Sequence, residues 1–130
     1  MMMVSLAMIV LIVMIGVIYH MITIYSEEKN INQINDLGYS LQSEIILAAE
    51  VEPGYLRVMF IPDTVGGFNF TLSQTTSVNQ ARSDIILKYR SSDFLFPIPK
   101  VLGTFGKGNN IIRTCPDRNI TVNCSCGLCP

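Results

Sequence analysis

Cys115, Cys124, Cys126 and Cys129 form the densest group of reactive side chains in the sequence, in the pattern C-x8-C-x-C-x2-C-P. Thiols this close together do one of two kinds of chemistry. As thiolates, four of them could hold a tetrahedral zinc, and Cys126-Gly127-Leu128-Cys129 has the spacing of a zinc knuckle. Such sites usually draw their ligands from two separated hairpins, whereas Cys124, Cys126 and Cys129 crowd together. Outside a cell, an even number of cysteines forms disulfides, and four allow three connectivities. We therefore read the four as two disulfides of open connectivity. They would staple a tail too short to bury itself.

Three tripeptides have the N-glycosylation pattern: Asn69-Phe70-Thr71, Asn119-Ile120-Thr121 and Asn123-Cys124-Ser125. The motif is short, but the placement adds to it. Alternation puts Asn69 and Thr71 on the polar face of one strand. It puts Asn119, Thr121 and Asn123 on one face of another, with Ile120, Val122 and Cys124 inward. A glycan must project into solvent, so Asn69, Asn119 and Asn123 are candidate acceptors of N-linked glycans. Catalytic groupings are lacking. The only histidine, His20, lies in an apolar run, which leaves no Ser-His-Asp or Cys-His arrangement for a soluble domain. Beside Tyr19 and Tyr25 it reads as a membrane-interface residue. The stretch GTFGKGNN lacks the spacing and closing Ser/Thr of a phosphate loop. Glu27-Glu28 and Glu50 with Glu52 read as solvated helix positions. The chain is expected to be no enzyme, with no cofactor and no metal.

The elements that carry these residues change character along the chain. Met1–Tyr25 contains no Asp, Glu, Lys or Arg, and is long and apolar enough to span a membrane. It is apolar on every face, so it is not a surface helix. No basic residue precedes Lys29, and the flank expected of a signal peptide or a plain anchor is missing. The simplest account is that a short basic leader has been removed; the alternative is a native start at Met1. Beyond Tyr25 the helix pattern continues, with Ile31, Ile34, Leu37, Leu41, Ile45 and Ala48 on one face. Pro53-Gly54 stops it. Gly16 and Gly38 lower helix propensity but allow another helix to approach closely, and Gly38 could also mark a bend. After Pro53, strands are expected at Tyr55–Ile61, Phe68–Ser73, Ile85–Arg90, Phe94–Ile98, Asn110–Arg113 and Asn119–Cys124. Gln74–Ser83 reads as a loop, Ser91-Ser92-Asp93 as a hairpin connection, and the region of Gly103, Gly106 and Gly108 as loose. Pro97 and Pro99 confine their strand to an edge or place themselves at its end.

The expected fold class is thus α+β, a long N-terminal α-helix followed by a small antiparallel β-sandwich or barrel-like domain. Residues 1–52 form the helix, with an apolar half (1–25) and an amphipathic half (26–52). Residues 53–130 form an extracellular β-domain with a cysteine-rich tail. The 130 residues carry a formal net charge of −1, so no basic footprint points to a nucleic-acid partner.

Three passages, LQSEIILAAEVEPGYLRVMFIP, GFNFTL and FPIPKVLGTFGKGNNIIR, follow the uncharged N-terminal helix. Together they resemble small archaeal type IV pilins and archaellin-like filament subunits, the proteins with class III signal peptides. The resemblance covers most of Met1 to Val122, and the cysteine tail lies outside it. It implies that a membrane peptidase removes a basic leader and that the chain sits in the membrane before assembly. It further implies a homopolymer, an extracellular filament whose β-domains face solvent. Val4, Leu6, Ile9, Val10, Ile12, Val13, Gly16 and Val17 would pack in the filament core. Bacterial type IV pilins typically carry a glutamate at the fifth mature position; Ser5 here points to the archaeal branch. The alternative expectation is a single-pass anchor whose extracellular β-domain binds a ligand without polymerising.

Overall fold

The structure, a computed structural model, describes residues 2–76 and 81–129. The first element is a helix, α1, Met2–Glu50. It runs without proline until Pro53, whose ring cannot continue it. Gly54, at φ 104°, turns the chain into the first strand. The end of α1 is tied to the strands rather than left open. Thr114 Oγ1 donates to the carbonyl of Ala48 at 2.7 Å, one of the carbonyls that a helix end leaves unpaired.

Among the described residues nine strands follow: β1 (Leu56–Ile61), β2 (Thr64–Val65), β3 (Phe68–Asn69), β4 (Thr71–Thr76), β5 (Arg82–Tyr89), β6 (Ser92–Pro99), β7 (Val101–Gly103), β8 (Gly108–Thr114) and β9 (Ile120–Val122). They form a four-stranded sheet in the order β1-β8-β9-β7, a three-stranded sheet β4-β5-β6 and a two-stranded ribbon β2-β3. The fold class is α+β, as expected. The sheets are mixed rather than wholly antiparallel, because β7 pairs with β9 in parallel. Pro97 and Pro99 lie on β6, an edge strand, where the missing N–H groups cost least.

Three local expectations change. The strand expected over Phe68–Ser73 is two strands, broken at buried Phe70 and assigned to different sheets. Phe68 belongs to the ribbon with β2, closed by Gly66 and Gly67, both at positive φ (59° and 81°), as a tight two-residue hairpin favours. The loop expected over Gln74–Ser83 is strand at its two ends, Gln74–Thr76 and Arg82-Ser83, with Thr76 opposite Ser83, while residues 77–80 lie outside the described residues. The β5–β6 hairpin turns on Arg90-Ser91, with Arg90 at φ 55°, so Ser92 and Asp93 already pair across from Tyr89 and Lys88.

The chain divides into two compact units, Met1–Asn32 and Gln33–Pro130. In the second, the later turns of α1 share one apolar core with the sheets. Ile34, Leu41, Ile45 and Ala48 are buried, Leu37 is half-buried, and they meet Ile85, Leu87, Phe96 and Ile98 from one sheet and Ile112 and Val122 from the other. Burying each large aliphatic side chain contributes roughly 1.5–3 kcal/mol. At Gly38 the helix lies close against the sheet: a Cβ there would collide with the Phe96 ring. The neighbour that Gly38 admits is therefore a β6 side chain, not another helix. Tyr39 meets the same ring edge-on, 5.3 Å between centroids.

Candidate assembly surface

From Met3 to Tyr25 every side chain of α1 is exposed, on all faces of the helix. The large apolar side chains of this stretch run from 48% exposed at Ile24 to 89% at Met3. Val4, Leu6, Ile9, Val10, Ile12, Val13 and Val17, the residues expected to pack in a filament core, are each more than half exposed. Mean hydropathy reaches 2.5 in the most apolar window, and by length and composition the helix can cross a membrane. Leaving so many apolar side chains in water costs on the order of tens of kcal/mol. The whole stability of a domain is only about 5–15 kcal/mol. Such a surface demands an apolar environment.

The polar groups within the stretch suit one. Thr23 Oγ1 donates to the carbonyl of Tyr19 at 2.8 Å, folding its hydroxyl onto the helix. Ser5 also has a partner. Gly16 has no heavy atom within 4 Å of where a Cβ would stand, so its bare face is open to an approaching chain. His20 lies among exposed apolar neighbours. Among the described residues, no three of His, Cys, Asp and Glu gather as metal ligands would.

The cysteines pair as Cys115–Cys126 and Cys124–Cys129, with Cα–Cα distances of 5.7 and 5.5 Å, within the usual range for a disulfide. All four sulfurs are engaged, which leaves no thiolate for the zinc alternative. Cys115 is buried at the end of β8, so the first bridge fastens the irregular tail to the sheet.

The three expected glycan acceptors sit in different surroundings. Asn69 and Asn119 are exposed. Asn123, also at the surface, is at φ 56° and its amide is built into the fold. Its Oδ1 accepts from Ile111 N at 2.9 Å, and its Nδ2 donates to Thr104 O at 3.1 Å and to Asn110 Oδ1 at 2.8 Å. Asn110, only 1% exposed, donates in turn to the carbonyls of Gly106 and Gly108 and accepts from Gly106 N. The region of Gly103, Gly106 and Gly108 is therefore pinned, not loose. Asn110 and Asn123 are structural residues that the sequence pattern did not reveal; Asn110, close behind Gly103, Gly106 and Gly108, was the available signal.

A smaller exposed apolar strip lies on the four-stranded sheet, where Leu56, Val58 and Phe60 of edge strand β1 stand with Ile111, which is opposite Val58. The architecture, a long apolar N-terminal helix followed by a small β-sheet domain, is pilin-like. Compared with family models, curated proteins and solved structures, the chain matches none of them.

Proposed function

We propose that this chain is the structural subunit of an extracellular helical filament of the archaeal type IV pilus kind, polymerising through residues 3–25 of α1. The observation that carries this reading is the helix surface itself: apolar in every direction, uncharged, and bare in the isolated chain. One apolar face would call for one partner groove. An all-round apolar surface calls for either lipid or several neighbours at once, and both are apolar solvents for a helix. The same helix is stored in the membrane and then moves into the filament core without meeting water. Assembly between unlike surfaces that does not close yields a helical polymer. The two disulfides suit an extracytoplasmic domain. The filament serves adhesion, surface contact or motility.

The test is Val10→Asp or Ile12→Asp in the full chain, expressed at the cell surface. A charge at the centre of an apolar helix costs about 2.5–3.5 kcal/mol in a membrane. Within a packed core, the cost repeats in every subunit. Sheared surface material from wild-type cells should sediment as long polymers containing this chain, and the variants should give none while their β-domain stays folded. Normal filaments from either variant would sink the proposal. Wild-type chain recovered only as single membrane-bound copies would favour an anchored binding domain instead.

A further inference from the structure

The three Asn-x-Ser/Thr tripeptides are not equivalent once the chain is folded. N-glycosylation needs an asparagine amide nitrogen free to react and an accessible hydroxyl two residues later. Asn123 fails the first requirement, because both its amide atoms are engaged with Ile111, Thr104 and Asn110. Asn119 is exposed, but its Nδ2 donates to Asp117 Oδ2. The hydroxyl of its tripeptide belongs to Thr121, which is 1% exposed and lies against Arg113 O and Cys115 Sγ. That hydroxyl is inaccessible. Asn69 meets both requirements. Asn69 and Thr71 are exposed, and among the described residues nothing hydrogen-bonds either side chain. Between them, buried Phe70 anchors the tripeptide at the surface.

We propose that Asn69 is the N-glycan acceptor of this chain and that Asn119 and Asn123 remain unmodified. The co-substrate is a glycan activated as a lipid-linked phosphate ester, supplied by a membrane transferase. Asn69 Nδ2 attacks C1 of the first sugar, and the C1–N bond forms as the C1–O bond to phosphate breaks. The lipid phosphate leaves with the electron pair, and the amide gives up one proton to a base. The inference is independent of polymerisation and needs only the extracytoplasmic location that the disulfides indicate.

The test uses the full chain, disulfides intact, from cells whose other surface proteins carry N-glycans. Glycopeptide mass spectrometry should find a glycan on the peptide containing Asn69 and none on those containing Asn119 or Asn123. Asn69→Gln and Thr71→Ala should abolish it, and Thr71→Ser should retain it. Asn119→Gln, and Ser125→Ala, which removes the third motif without touching the Asn123 amide, should leave the glycan mass unchanged. Thermal midpoints within error of wild type would show that the variants remain folded. An unmodified Asn69 peptide, or a glycan on Asn119 or Asn123, overturns the proposal.

Discussion

Residues 3–25 and 33–50 belong to the same helix, yet different surroundings hold them helical. In the later stretch, Ile34, Leu41, Ile45 and Ala48 are fully buried against the sheets, and the opposite side carries Asp36, Ser40 and Ser43 in water. That half brings its own apolar partner. The earlier stretch has none within its own unit, and its many valines and isoleucines are only moderate helix formers in water. It needs an apolar solvent, in which the helix becomes the one way to satisfy every backbone group. One element thus serves folding at one end and, in the proposed filament, association at the other.

Paired substitutions should separate the two roles. Aspartate gives the largest contrast. Ile45→Asp buries an unpaired carboxylate, which costs several kcal/mol against a total of about 5–15. The domain should lose its cooperative thermal transition, followed by circular dichroism in detergent. Ile12→Asp should leave that transition in place and remove only the polymers. Alanine gives the next contrast. Ile45→Ala should lower stability by about 2–5 kcal/mol, whereas Ile12→Ala should change it by less than about 0.5. Equal losses at both positions would mean that the halves are not distinct.

The tail extends the comparison to a region with little core of its own. Replacing Cys115 and Cys126 together by alanine should cost about 2–3 kcal/mol, as expected for releasing a loop of this size. The two glycines of α1, Gly16 and Gly38, give a subtler contrast. Gly38→Ala forces Phe96 to move and should cost about 1–3 kcal/mol. Gly16→Ala meets nothing in the chain, so denaturant midpoints should stay the same or rise slightly. If Gly16 is a packing contact between subunits, its alanine variant will still weaken the polymer.

How much of this was legible in the sequence depended on whether the signal was periodic. The later half of the helix and strands β5, β6 and β8 follow from repeating apolar positions, because burial on one face imposes a period, and Pro53-Gly54 marked where the helix stops. The break at Phe70 did not show, since Phe68, Phe70 and Leu72 keep a strand's alternation while changing sheets. The parallel β7–β9 pair was hidden too, being three residues long and set by a crossover that no local pattern encodes. At the candidate surface, the apolar stretch was plain from composition. The role of Asn123 was not: its amide joins β8 to the segment around Thr104, contacts between positions distant in sequence. A motif of three residues carries no information about them.

The smallest predicted effect concerns how the later half of α1 is aligned on the sheet rather than how it is buried. Glu44 Oε1 and Arg57 Nη2 are 3.0 Å apart, joining α1 to β1 in the second unit. Tyr55, then Glu44, raises the Arg57 pKa above its ordinary value, so the guanidinium stays charged at any physiological pH. Exposed ion pairs contribute little, about 0–1 kcal/mol. Half of the Arg57 side chain is in solvent, while only 18% of Glu44's is. Removing the arginine therefore leaves a mostly covered carboxylate without its partner, whereas removing both charges does not. Arg57→Ala should lower stability slightly, and Arg57→Ala with Glu44→Gln should lower it less than Arg57→Ala alone. A double-mutant cycle by urea unfolding measures the difference. If the double variant is the less stable one, Glu44 stabilises α1 by something other than its pairing with Arg57.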